Sequence, residues 1–187
     1  IMKIKISLIV LFFALLFQSC TKKNKPVDYF DYTVLNLNKY LGLGFEDFNV
    51  IFDAKKRDLL YAIIDNKTQK TKSVEVYVKN KLLFTLNNDI KSLKELEVTP
   101  ETQEMIKITT QLFELVKNTY ETDYVKIAKM IDSNTPQADV ENAIFIMEEK
   151  RFPQFDKLHK QLLDIALPYT RKHNIDVIDN SNNKVVN

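Results

Sequence analysis

The 187-residue sequence predicts an α+β domain, in which an antiparallel meander of three or four strands packs with a short N-terminal helix and a C-terminal helical half. Short apolar and β-branched runs, separated by short polar connectors, occupy residues 48–86 and are typical of strands. From residue 99 onward, the apolar residues instead recur at helical spacing. An apolar content of 45 % excludes general disorder and is sufficient for one core.

The first predicted element is a short helix over residues 31–41. Val34, Leu37 and Leu41 recur at helical spacing, and Gly42 follows as a C-terminal stop. The segment lacks the additional glycines and the Lys-Ser/Thr pair of a phosphate-binding loop. We therefore predict a helix stop and a turn here, with no nucleotide site.

The strand prediction covers residues 48–52, 59–64 and 74–78, with 82–86 as an optional fourth strand. The connectors between these runs are short and polar, which favours hairpins. Because no helix-length segment separates the runs, a parallel sheet is disfavoured.

The helical half begins at Thr99-Pro100, a capping residue followed by a proline suited to the first helical position. Thr135-Pro136 repeats this pattern and predicts a second start. A last helix is predicted to begin at Pro153 and to bend at Pro168.

The N-terminus reads as a targeting segment. Lys3 and Lys5 precede an apolar run over residues 6–17, and the run is followed by Ser19 and Cys20. As a helix the run would span about 18 Å, well short of the hydrocarbon core of about 30 Å, whereas a secretory signal has this length and these flanks. The alternatives are a secretory signal with an accidental cysteine and a short buried helix.

These residues resemble a bacterial lipoprotein signal peptide, in which a small residue precedes a cysteine that is lipidated. Phe17 departs from the leucine usual three residues before that cysteine. The resemblance implies that Cys20 becomes an acylated N-terminus and that several acyl chains hold the protein on the membrane. Thr21, in place of aspartate, favours the outer membrane, and we expect the protein to face the periplasm.

The predicted organisation is a signal peptide over 1–19, a polar tether over 20–30, one α+β domain over 31–173 and a flexible tail over 174–187.

Candidate chemistry is sparse. Cys20 is the single cysteine, and no serine lies in a nucleophile motif, so no catalytic residue is predicted. Asp156 and His159 can share one face of a helix and are weak ligand-site candidates, but two ligands make an incomplete metal site. No metal or cofactor is predicted. The acidic pairs Glu46-Asp47 and Glu148-Glu149 are interpreted as solvated surface.

A formal net charge of +2 argues against nucleic acid as a partner. The sequence therefore favours a lipid-anchored envelope protein without enzymatic activity that binds another protein, as an accessory subunit or an immunity-type protein. The alternative is a periplasmic lipoprotein that binds a small ligand or a metal, and a hydrolase is the weakest hypothesis.

Overall fold

The computed structural model describes residues 24–179 and 184–186. The described chain is mostly helical, and the predicted three- or four-stranded meander is wrong. Residues 48–52, 74–78 and 82–86 lie in helical segments. Of the predicted runs, only 59–64 contributes a strand. The signal peptide over 1–19 and the lipidation site Cys20 lie outside the described residues.

The first half of the chain forms two broken helical segments separated by a hairpin. The elements are α1 (Pro26–Phe30), a π-helical turn (Asp31–Leu35), a 3-10 turn (Asn38–Tyr40), α2 (Phe45–Lys56), β1 (Tyr61–Ile64), β2 (Lys67–Lys70), α3 (Val74–Tyr77), a π-helical turn (Val78–Leu82) and α4 (Leu83–Lys94).

The second half contains two long helical segments. The elements are α5 (Gln103–Thr119), a π-helical turn (Tyr120–Tyr124), α6 (Val125–Asp132), α7 (Gln137–Lys172), β3 (Val177–Asp179) and β4 (Lys184–Val186). Strands β3 and β4 pair antiparallel, with Val177 opposite Val186.

The β1–β2 hairpin forms because its two connecting residues adopt the left-handed conformation. Asp65 and Asn66 have φ of 50° and 60°, and the strands pair antiparallel from Tyr61 opposite Lys70 to Ile64 opposite Lys67. Residues 67–70 belong to the polar connector between the predicted strands 59–64 and 74–78, but they form β2, whose side chains are all exposed.

Residues 74–86 are helical because burial follows helical spacing over the whole segment. Val74, Val78 and Leu86 are fully buried, at intervals of four and eight residues. Val74, Val76 and Val78 alternate with other residues, as in a strand. The buried positions of the longer segment 74–86 instead fit a helix. The Ser73 side chain also caps α3 by accepting a hydrogen bond from Val76 N at 3.2 Å.

Helix α7 continues through Pro153 and Pro168, so the prediction of a separate helix beginning at Pro153 is wrong. Pro153 lies on the exposed side, where its missing N–H leaves a carbonyl that water can reach. Phe155 and Leu162, which are buried in the core, hold the helix beyond the proline.

The four helical segments run alternately up and down. At one end of the bundle, here called the near end, Glu101 pairs with His173 and Asn24 contacts Glu97. At the opposite, far end, Asp132 accepts a hydrogen bond from Ser73. One hydrophobic core runs between the segments.

Parts of the predicted tether and tail join this bundle. Tyr29 and Phe30 of α1 are buried, and Tyr29 lies edge-on to Tyr169 with ring centroids 6.5 Å apart. Ile175 packs against the core. Within the described residues, no helix combines the length and the apolar character needed to cross a bilayer.

Candidate functional site

The candidate site is a groove between the turn that precedes α2 and the middle of α7. The cavity measures about 540 Å³ and is open to solvent. Its nine lining residues are apolar or acidic apart from one glycine, and none is basic: Leu41, Gly42, Leu43, Glu46, Glu148, Glu149, Phe152, Pro153 and Asp156.

The turn on one side of the groove depends on Gly44. This residue has φ of 115°, a conformation that L side chains rarely adopt, and a Cβ here would overlap the Glu148 carboxylate. Asp47 N donates to Gly42 O at 2.9 Å and Phe48 N donates to Gly44 O at 3.0 Å. Gly44 therefore allows α2 to start directly against α7.

Glu148 fixes this contact across about a hundred residues of sequence. Its Oε1 accepts a hydrogen bond from Phe45 N at 2.6 Å, at the first residue of α2. A carboxylate is favoured at a helix N-terminus, where backbone N–H groups lack partners. The two walls of the groove are thus joined by a hydrogen bond.

A buried tyrosine network supports the same turn from below. The Tyr124 hydroxyl accepts from Gly44 N at 2.7 Å and donates to Asp47 Oδ2 at 2.7 Å. The Tyr120 hydroxyl lies 3.5 Å from the same carboxylate oxygen. The π-helical turn that contains Tyr120 and Tyr124 therefore connects the third helical segment to the groove wall.

The surroundings of Asp47 set its protonation. Burial raises the pKa of Asp47 to about 6, and the hydrogen bonds from Tyr124 and Tyr120 oppose that rise only in part. The carboxylate in turn contributes to raising the pKa of Tyr77, although burial is the larger cause.

Two apolar side chains stand exposed at the groove mouth. Leu41 is 39 % exposed and Phe152 is 44 % exposed. Phe145 is 54 % exposed and lies seven residues before Phe152, so it shares that face of α7. Phe152 and Leu41 line the groove, whereas Phe145 lies outside it.

The two ligand-site candidates from the sequence lie one turn apart on α7, and no hydrogen bond joins their side chains. Asp156 lines the groove, where its Oδ2 accepts from Lys160 Nζ at 2.7 Å. His159 is half-buried beside Phe155, with ring centroids 6.1 Å apart, and burial lowers its pKa. Among the described residues, no group of three or more His, Cys, Asp and Glu side chains has the geometry of a metal site.

The acidic pairs interpreted as solvated surface each contain one inward-facing member. Glu148 holds the start of α2 and Asp47 joins the tyrosine network, whereas Glu46 and Glu149 are exposed. The sequence held a weak indication of the helix start at Gly44. Glu46 and Asp47 follow it, and acidic residues are favoured in the first turn of a helix.

Comparisons of the chain with protein-family models, curated proteins and solved structures give no match.

Proposed function

We propose that this chain is a lipid-anchored bacterial envelope protein that faces the periplasm from the outer membrane. In this proposal it acts without catalysis, by binding another protein through the groove, as an accessory subunit or an immunity-type protein. The observation that carries the binding role is the exposed apolar pair Leu41 and Phe152 at the mouth of a groove of about 540 Å³.

The construction of the groove supports this role. Gly44, Glu148 and Tyr124 hold its two walls by backbone and side-chain hydrogen bonds that do not need a ligand. A preformed surface binds with a smaller loss of conformational freedom than one that orders on binding. Aromatic side chains such as Phe152 are enriched at the centres of protein interfaces.

The binding role is tested by photo-crosslinking in intact cells. A benzophenone amino acid replaces Phe152 in the groove or, in the matched control, Phe84 on α4, which is similarly exposed at 47 %. We expect a covalent adduct of one discrete mass from position 152 and none from position 84. Absence of an adduct at 152, or equal adducts at both positions, contradicts the proposal.

The anchor is tested separately by metabolic labelling with a fatty-acid analogue. The wild type is expected to incorporate the label and Cys20→Ala is expected to lose it. A wild type that takes no label would show that the protein is not acylated, whatever the crosslinking result.

A further inference from the structure

We infer that the occupant of the groove is a basic segment of a partner protein that carries at least one large apolar side chain. This inference rests on the proposed binding function and adds the chemistry of the partner. It stands on two separate features of the groove, its exposed apolar side chains and the sign of its charged groups.

The charged groups of the groove are all acidic. Of the four lining carboxylates, Glu148 is occupied by Phe45 N and Asp156 by Lys160. Glu46 and Glu149 make no hydrogen bond or ion pair with any described residue, and both are exposed on opposite walls. A segment lying between them would meet a carboxylate on each side, so its charge must be positive.

The apolar side chains of the groove indicate that the occupant also carries a large apolar side chain. Leu41 on the turn and Phe152 on α7 border the space between those carboxylates. An occupant that was only cationic would leave both side chains in contact with water. An apolar side chain seated against Phe152 removes that area from water and supplies most of the binding free energy, while the carboxylates select the partner.

Other occupants are disfavoured by charge. A two-fold dimer with its axis at the groove would place the same acidic groove against itself. Nucleic acid and anionic lipid headgroups would be repelled. The basic residue Lys25 of this chain does not fill the groove. That residue lies at the near end of the bundle, where its backbone N–H donates to Asp28 at 2.7 Å.

The test measures binding of fluorescein-labelled synthetic peptides to the full-length protein, purified in detergent, by fluorescence anisotropy. Three peptides of equal length are compared, built from Lys and Leu, from Glu and Leu, and from Lys and Ser. We expect the Lys/Leu peptide to bind at least about tenfold more tightly than either other peptide, with an affinity that falls as salt rises.

Two double variants with the same change in net charge locate the binding. Glu46→Gln/Glu149→Gln is expected to weaken the Lys/Leu peptide about tenfold. Glu95→Gln/Glu114→Gln, which alters exposed carboxylates outside the groove, is expected to leave its affinity unchanged. Circular dichroism verifies that both variants fold.

Equal weakening by the two double variants, tighter binding of the Glu/Leu peptide, or no binding of the Lys/Leu peptide would overturn the inference. The outcome is independent of the crosslinking result. An adduct at position 152 without Lys/Leu binding retains the proposed function and removes this occupant. Lys/Leu binding in the groove without an adduct in cells removes the proposed function instead.

Discussion

At the scale of single residues, Gly44 combines a backbone conformation and a close approach that no other residue satisfies. We predict that Gly44→Ala lowers the free energy of unfolding by about 2–3 kcal/mol. The added Cβ is strained at φ of 115° and displaces Glu148, which breaks its hydrogen bond to Phe45 N. Urea denaturation followed by circular dichroism measures the change.

Gly42 supplies the matched control for that substitution. It lies in the same turn without a positive φ, and its nearest contact for a Cβ is Asp47 Oδ1 at 3.1 Å. We expect Gly42→Ala to cost less than about 1 kcal/mol. Equal costs for the two alanine variants would show that the conformation of Gly44 does not determine the turn.

The raised pKa of Asp47 predicts that the free energy of unfolding depends on pH. Its pKa is about 6 in the folded protein and near 3.8 when unfolded, so the folded state binds more protons between pH 4 and 6. The contribution of Asp47 to the free energy of unfolding therefore falls as pH rises through that window, by about 2–3 kcal/mol in total. Asp47→Asn removes this dependence while it keeps an acceptor for Tyr124.

The measurement is the difference in unfolding free energy between the wild type and Asp47→Asn, taken at several pH values from 4 to 7. The difference cancels the opposite dependence of carboxyls such as Glu101, whose pKa is lowered chiefly by its hydrogen bond with Lys172. We expect the wild type to lose stability relative to the variant as pH rises. A constant difference would contradict the prediction.

At the scale of elements, α3 is held by a carboxylate from another helical segment. Asp132, at the end of α6, accepts from Val74 N at 2.9 Å, Glu75 N at 3.1 Å and Ser73 Oγ at 2.7 Å. Burial by itself raises the pKa of Asp132, but its hydrogen bonds with Lys55, Ser73 and the two amides outweigh that effect and lower it.

We predict that Asp132→Ala costs about 2–3 kcal/mol of unfolding free energy, because it leaves the first N–H groups of α3 without a partner. Thermal or urea denaturation measures the loss. Asp53→Ala is the control, since Asp53 forms an exposed i,i+4 ion pair with Arg57 and its removal is expected to cost under about 0.5 kcal/mol. Similar losses in both variants would mean that Asp132 contributes only surface charge.

The same contacts explain where sequence-based prediction succeeded and failed. The helix from Met105 to Tyr120 could be recognised because its apolar period extends over many residues. Met105 and Tyr120 are both buried in the core, as that period predicts. The run 74–78 was misassigned because five residues also fit a strand, and the carboxylate that caps it lies 58 residues from Val74.

The groove could not be predicted from the sequence, for a related reason. Its walls come from residues 41–46 and 148–156, which meet through the hydrogen bond from Phe45 N to Glu148 and the close approach of Gly44 to the same side chain. Asp156 was predicted as a ligand-site candidate because it can share a helix face with His159. It does line the groove, but His159 does not. Periodicity indicates which residues are buried, not which distant segments share a surface.

At the scale of the whole molecule, the near end of the bundle is where a lipid anchor would attach. Asn24 Oδ1 accepts from Glu97 N at 2.9 Å, and Cys20 precedes Asn24 by four residues, a span of at most about 14 Å. Helix α7 is about 50 Å long and ends here at Lys172. The groove, near Phe152, would then stand about 30 Å from the anchored end.

This geometry predicts the orientation of the protein on a bilayer. Single cysteines at the exposed positions Arg171 and Ser133, which lie at the near and far ends, are labelled with a fluorophore. In the proposed lipoprotein the thiol of Cys20 is acylated and takes no label. In vesicles that contain a headgroup quencher, we expect strong quenching of Arg171→Cys and little quenching of Ser133→Cys. The physical reason is the difference of about 50 Å between the two ends, which exceeds the range of a contact quencher.

Adding Cys20→Ala to each labelled protein separates orientation from simple adsorption. Without the acyl chains the protein should leave the vesicles, because the net charge of its side chains is too small to hold it on an anionic surface. Quenching that is equal at both ends, or stronger at Ser133, would contradict the predicted orientation. Quenching confined to Arg171 and dependent on Cys20 leaves the groove open to a partner about 30 Å above the membrane.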